Sequence, residues 1–248
     1  MAIPLSSEAR FTIASDQSLL VLFDAPTGDS RVAAAPGQNR ITAAHHEHVR
    51  RLLRLLELEP IDGIRNLHPA YHSLLIQFDP LKLRHSDLQE ILRGYLHRIA
   101  HVALPEPRIV EIPVCYGGEY GPDLQDVAEL HGISVQRAIE AHASPTYLVY
   151  FLGFAPGFAY LGDVPEDVAT PRLPAPRKSV PTGSVGVAGK QTGVYPIPTP
   201  GGWRLLGRTP ATMFRPGRPQ MSLLSIGDRV RFVPISREQF AKLSAERA

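Results

Sequence analysis

TYLVYFLGFAPGFAYLG (146–162) sets the character of the second half of the chain. Its first part, TYLVYFL, is a block of β-branched, aromatic and aliphatic residues of strand length. Gly153, Pro156 and Gly157 then break the run, and a second apolar block, FAYLG, follows. The same alternation continues downstream. SVGVAG (184–189), VYPI (194–197), WRLLG (203–207) and DRVRFVPI (228–235) are short apolar runs between turn residues. From Thr146 onward lie 12 of the 20 glycines and 13 of the 24 prolines, and helical periodicity nearly vanishes. Many short strands joined by Gly/Pro turns predict a closed or nearly closed β-barrel.

Toward the N-terminus the pattern changes. RIVEIPVC (108–115) reads as a strand, and 122–131 and 134–143 as two short helices. VALPEPR (102–108) is a proline-bearing connection, which places a boundary between a domain at 1–104 and a domain at 105–248. Within the first domain, SLLVLF (18–23) suits a buried strand and DAPTGDSRVAAAPGQ (24–38) a loop. A helix is expected from Asn39 to Glu57, with Ile41, His45, Val49, Leu52, Leu53 and Leu56 on one face, stopped by Pro60 and Gly63. Strands follow at 64–68 and 73–79. Ser86 and Gln89 have the spacing of a capping box for a second helix. Residues 1–101 therefore read as a small α+β domain, a sheet packed on helices.

Composition narrows the function. The 248 residues carry a formal net charge of only +2, so no global basic field draws in nucleic acid. Cys115 is the sole cysteine, so no internal disulfide is possible. MAIPLSSEAR lacks a basic region followed by an apolar one, and no apolar run reaches membrane-spanning length. The expected location is the cytoplasm.

Several motif-like stretches fail on chemistry. GSVGVAGKQT (183–192) has five residues between Gly183 and Gly189, not the four of a phosphate loop, and Gln191 stands where Ser or Thr would hold magnesium. His97 and His101 have zinc-helix spacing, but Arg98 replaces the glutamate of a metalloprotease helix. Residues 122–143 have helix-turn-helix spacing at Ala128 and Gly132. The second helix offers Gln136 and Arg137 but also Glu140, which phosphate repels, so two helices capping a barrel end is the preferred reading. Cys115 reads as a small core residue.

All ten histidines precede residue 146, so the barrel strands themselves supply none for acid–base work. Candidates there are Asp163, Glu166, Asp167, Tyr160, Lys178, Lys190 and Tyr195, with cations at Arg172, Arg177, Arg204 and Arg208. Two glycine-bearing stretches, 151–162 and 191–210, combine turn residues with aromatics. They fit equally a set of turns around an aromatic core and backbone N–H groups aimed at an anion.

VCYGGEYGPDL (114–124), YFLGFAPGFAYLG (150–162), PRLPAPRKSVPTGSVGVAG (171–189), QTGVYPIPTPGGW (191–203) and LLGRTP (205–210), in this order, resemble the family of the 5-oxoprolinase B subunit. That family is also called allophanate hydrolase subunit 1 and includes an inhibitor of a sporulation histidine kinase. The resemblance is strongest from 109 to 234. It implies an α+β N-terminal domain followed by a mainly β, cyclophilin-like barrel. It implies partners, the 5-oxoprolinase C and A subunits, and a reaction in which ATP hydrolysis drives opening of 5-oxo-L-proline to L-glutamate, with ATP bound on one of those partners. Phosphorylating the lactam oxygen would make a poor electrophile reactive. An allophanate- or urea-type amide hydrolase or carboxyltransferase, or a kinase inhibitor acting through residues 1–101, are the alternatives the family carries. Transferred to this sequence, the resemblance implies a site with Gly153, Phe154, Pro156, Gly157 and Tyr160 on one wall. Pro181, Gly183 and Ser184 approach from a central turn, and Gln191, Thr192, Tyr195, Trp203, Arg208 and Thr209 form the other wall. Arg208 is assigned to anion binding and Gln191 to an amide, with Tyr160 beside them in the chemistry; no metal is expected. Ala159, Lys190 and the length of 24–38 depart from the family pattern.

Overall fold

A computed structural model of the chain describes residues 9–23 and 43–246. The chain divides into two compact units, Met1–Glu106 and Pro107–Ala248. The loop expected at 24–38 and the helix start expected at 39–42 lie outside the described residues.

In the first unit, β1 (Ala9–Ser15), β2 (Ser18–Phe23), β3 (Ile64–Pro69) and β4 (Ser73–Phe78) form an antiparallel sheet in the order β1-β2-β4-β3. Alternation selects the buried face: Leu19, Val21 and Phe23 of β2 join Leu74, Ile76 and Phe78 of β4. They pack in one core with Val49, Leu52 and Leu56 of α1 (Ala43–Leu58) and with Leu88 and Leu92 of α2 (His85–Leu96). Strand β1 is absent from the sequence reading because ARFTIAS is an edge strand, mostly exposed and held by pairing with β2. The capping box does not form. Helix α2 begins two residues earlier, with Arg84 at its N-cap and no side-chain cap, and the Ser86 hydroxyl donates to Asp87 (3.0 Å).

The second unit holds a closed seven-stranded barrel. Its strands are β5 (Ile109–Tyr116), β6 (Tyr147–Leu152), β7 (Ala159–Gly162), β9 (Ser184–Ala188), β10 (Gln191–Val194), β12 (Arg204–Arg208) and β13 (Arg229–Pro234). They run in the order β10-β7-β6-β13-β5-β12-β9, and β9 closes onto β10. Two further strands, β8 (Arg177–Val180) and β11 (Thr199–Gly201), make a separate two-stranded sheet. Val114, Val149, Leu161, Val185, Val187, Val194 and Phe232 fill the interior. Helices α3 (Leu124–Leu130) and α4 (Val135–Ala143) pack Val127, Ala128 and Ala138 against the same core.

This arrangement disposes of the helix-turn-helix reading. Arg137 of α4 is paired with Asp167 (2.9 Å) and Gln136 donates to Glu140 (3.0 Å), so the two groups that would face a groove are engaged within the chain. The phosphate-loop-like run is strand β9, paired on both edges, so its backbone is committed to the ladder. A C-terminal helix, α5 (Arg237–Ala245), was not expected, although Ser236 and Gln239 make a complete capping box at its start.

Candidate functional site

The loop between β6 and β7 is two consecutive turns. The Phe158 N–H donates to the Ala155 carbonyl (3.0 Å), and Pro156 and Gly157 (φ +84°) take the central positions of a type II turn. Just before it, the Ala155 N–H donates to the Gly153 carbonyl (2.9 Å) around Phe154 at φ +70°. That is a γ-turn of the rare positive-φ kind. A bulky side chain disfavours this region by about 1–2 kcal/mol, yet Phe154 occupies it and is 62% exposed.

A second type II turn joins Pro181 to Ser184, whose N–H donates to the Pro181 carbonyl (3.2 Å) with Gly183 at φ +80°. Glycine is required here on two grounds. Besides the positive φ, a Cβ at 183 would lie 2.3 Å from the Thr209 carbonyl oxygen. The close approach knits three segments together: Gly183 N–H to Tyr195 (2.7 Å), Tyr195 N–H to Ser184 (2.9 Å) and Thr209 N–H to Gly183 (2.9 Å).

Inward and outward residues alternate along each strand. Val185 and Val187 fill the interior, so Ser184, Gly186 and Ala188 face outward. The outer face carries its own cluster: Phe158, Val180, Ala188, Tyr195, Trp203 and Leu205, with Tyr160 against it. Phe158 meets Tyr195 and Trp203 edge-on at 5.4 Å, and Phe154 meets Phe158 at 5.4 Å. Burial raises the pKa of both Tyr160 and Tyr195, while the Arg172 charge pulls each back. Both phenols stay protonated at neutral pH.

Further along the same face, Arg208 of β12 lies opposite Ser184 of β9 and Cys115 of β5. Its guanidinium sits 5.7 Å from the Tyr120 ring centroid. The Ser184 hydroxyl is buried and has no hydrogen-bond partner, and neither has Arg208 Nε. Among the described residues, the orphaned buried side-chain atoms of this unit belong to Ser184, Thr199, Arg204 and Arg208, on β9, β11 and β12. Cys115 is buried, as expected, and burial raises its thiol pKa.

The interior holds a different polar group. Thr192 donates to the Gly186 carbonyl (2.9 Å), so His142 Nε2, 2.9 Å from the same hydroxyl, must carry the proton it donates. His142 Nδ1 then accepts from Tyr116 (2.8 Å). The ring stacks on Phe232 at 4.7 Å, and burial lowers its pKa to about 3.

A family model, carboxyltransferase domain, subdomain C and D, matches residues 23–224. The chain belongs to the carboxyltransferase-domain family. It is 45% identical over 195 residues to the 5-oxoprolinase B subunit of Bacillus subtilis (strain 168), covering 75% of this chain and 81% of that one. The crystal structure of TTHA0988 superposes with a TM-score of 0.73 at 34% identity, covering 89% of this chain; this chain spans only 40% of that one. The K. lactis urea amidolyase structure matches with a TM-score of 0.76 at 19% identity, covering 99% of this chain and 16% of that one, which establishes a shared fold.

In this carboxyltransferase-domain barrel the residues chosen from sequence fall into three places. Gly153, Phe154, Pro156, Gly157, Tyr160, Tyr195 and Trp203 belong to the aromatic group or its loop. Gln191 alternates outward with Tyr195 and sits at the other end of β10, diagonal to Tyr160 across the Thr192–Leu161 pair. Pro181, Gly183, Ser184, Arg208 and Thr209 make the second group. Thr192 is on neither wall: it points into the barrel and is bound to His142. Tyr160 on β7 and Arg208 on β12 are three strand intervals apart (β7-β10-β9-β12). At about 4.8 Å each this is on the order of 14 Å between the two strands. The expected wall residues therefore fall on two neighbouring patches of the barrel wall.

His142 was missed. The histidine count excluded the barrel strands correctly, but α4 delivers an imidazole into the interior from outside them. Its signal was the position itself, one residue from the end of an amphipathic helix on the face shared with Ala138 and Ala141. A concavity of about 440 Å³ lies between α4 and the end of β13, lined by Ile139, Glu140, Pro234 and Tyr116 and by none of the residues of the two patches. Among the described residues no cluster of three or more His, Cys, Asp or Glu could hold a metal, and no helix is long and apolar enough to cross a membrane.

Proposed function

We propose that this chain is the B subunit of a cytoplasmic, ATP-hydrolysing 5-oxoprolinase that opens 5-oxo-L-proline to L-glutamate together with the C and A subunits. The observation that carries this reading is the 45% identity to a 5-oxoprolinase B subunit over most of both chains. The geometry supports it with an arginine, Arg208, that has a ring contact but no hydrogen-bonded or ion-paired partner among the described residues, on a face with other orphaned polar atoms. An anionic substrate or intermediate would satisfy that group. Arg208 is the proposed anion-binding residue. Tyr160, whose phenol burial raises further above its ordinary value, and Gln191 are proposed to serve the other patch as hydrogen-bonding groups for a partner chain or for the amide end of a bound intermediate.

ATP is proposed to bind on a partner, since the sole phosphate-loop-like run is committed to strand β9. The two units are proposed to be separate domains meeting near residues 104–107, the second of cyclophilin-like type.

The test is ATP-dependent glutamate release from 5-oxo-L-proline by this chain co-expressed with the A and C subunits, each omitted in turn. Activity that vanishes without this chain is the expected result. Undiminished activity in its absence would overturn the assignment.

A further inference from the structure

Resting on the reading above, we propose that Ser184 and Arg208 form a two-point clamp for the carboxylate of the substrate, so that this barrel selects small amides bearing an acid group over neutral ones.

Three observations lead there. The two side chains leave the same face of adjacent strands directly opposite one another, a placement that sets Cβ atoms about 5 Å apart. One carboxylate can bridge that gap, accepting from the guanidinium with one oxygen and from the hydroxyl with the other. Second, both side chains carry a buried polar atom without a partner, and Ser184 is 1% exposed. Buried hydroxyls and guanidinium nitrogens are nearly always hydrogen-bonded in folded proteins, so two orphans side by side mark a place completed by something from outside the chain. Third, the surroundings favour one negative charge without supplying it. Arg208 has no carboxylate of the chain within ion-pair distance among the described residues, whereas Arg177 and Arg204 nearby are paired with Asp123 and Asp126. An aromatic ring, Tyr120, supports the guanidinium from another side.

The route in is set by Arg208 itself. Its Cγ lies 3.3 Å from the Cβ position of Gly183, so its stem rests on the turn beside Ser184. Arg208 is partly exposed while Ser184 is buried, so the guanidinium is the group of the pair nearer solvent. The carboxylate therefore engages arginine first and serine second.

The full chain, and its complex with the A and C subunits, are titrated with 5-oxo-L-proline and with 2-pyrrolidinone, the same lactam without the acid. Binding is followed by equilibrium dialysis and by the NMR signal of the Arg208 Nε–H. We expect that signal to move with 5-oxo-L-proline and stay with 2-pyrrolidinone. Charge-assisted hydrogen bonds of this kind translate into affinity losses of about 10-fold for Ser184→Ala and about 100-fold for Arg208→Gln, with 2-pyrrolidinone affinity unchanged in both. Equal affinity of wild type for the two lactams overturns the clamp. So do unchanged affinity in both variants, as folded proteins by circular dichroism, and absence of saturable 5-oxo-L-proline binding to chain and complex alike. The wider reading is judged separately. Turnover that survives both substitutions removes the clamp and leaves the 5-oxoprolinase assignment standing. A complex that binds the acid through this pair but turns over without this chain does the reverse.

Discussion

The two faces of one barrel wall treat polar atoms in opposite ways. Inside, Tyr116, His142 and Thr192 form a closed chain in which every donor has an acceptor. Outside, on β9 and β12, Ser184 and Arg208 keep buried atoms with no partner. Thr192 and Ser184 make the contrast sharp: both are hydroxyl residues, buried to 1% exposure or less, on neighbouring strands. The first completes the fold. The second contributes nothing to it that a methyl group would not. A buried polar group that stabilises the native state is matched within it, and one left unmatched is held ready for something else.

The largest expected effect tests the matched side. Thr192→Val keeps the shape but strips partners from His142 Nε2–H and the Gly186 carbonyl, both in the dry interior. Each loss is about 1–3 kcal/mol, so unfolding by denaturant should show a destabilisation of about 3 kcal/mol. A cost below about 1 kcal/mol would mean that water or repacking satisfies the network and that the two faces are not so different.

Next comes acid. Burial holds His142 at about 3 in the folded protein against 6.5 for the ordinary imidazole. The folded value is the lower one, so the unfolded chain takes up the proton first. The contribution of neutral His142 is fully present above pH 6.5 and drains away as pH falls toward 3, at about 1.4 kcal/mol per pH unit. Between about pH 7.5 and 4.5 the protein should lose about 2–3 kcal/mol from this residue. His142→Phe should remove that part of the slope while lowering stability at neutral pH, because Tyr116 and Thr192 lose their partner. An unchanged slope in the variant would place the acid sensitivity in other groups.

Much of this fold was legible in the sequence because its punctuation is local. The P-G of Ala155–Phe158 and the glycine of Pro181–Ser184 favour type II turns, and most of the short apolar runs became barrel strands, VYPI excepted, where the strand is Gln191–Val194. The helices at 124–130 and 135–143 followed from periodicity. What failed was tertiary. Period-two alternation places Thr192 and Gln191 on opposite faces of β10, but only the closed barrel shows which face is inside. Ser86 and Gln89 have correct capping spacing, yet α2 starts two residues too early for them, while the same signal at Ser236 and Gln239 is realised and was overlooked. His142 could not be found from the strands it sits among, because it arrives from a helix.

The unmatched side gives an effect of the opposite sign. Ser184→Ala removes a hydroxyl whose burial is uncompensated, so stability should hold or rise by up to about 1 kcal/mol in the isolated chain. Paired with Thr192→Val in one denaturation series, the two hydroxyl deletions should differ in direction as well as size. A loss of more than about 1 kcal/mol at Ser184 would show that its hydroxyl has a partner in solution, and the contrast between the faces would fall with it.

Phe154 provides the smallest and most discriminating case. Its γ-turn conformation is disfavoured for a bulky residue, and its ring, though edge-on to Phe158 and Tyr195, is largely in solvent. Asparagine tolerates positive φ far better. Phe154→Asn therefore trades about 1–2 kcal/mol of backbone relief against the edge-to-face contacts, worth about 0.5–1.5 kcal/mol at best and less when exposed. The net should be a gain of about 0.5 kcal/mol by thermal or chemical denaturation. If the gain appears and turnover of the reconstituted complex falls, the strain is kept for the ring's contact with substrate or partner. If stability drops instead by more than about 1 kcal/mol, the ring is part of the outer aromatic core, and the loop's conformation is explained by packing without any role in the chemistry.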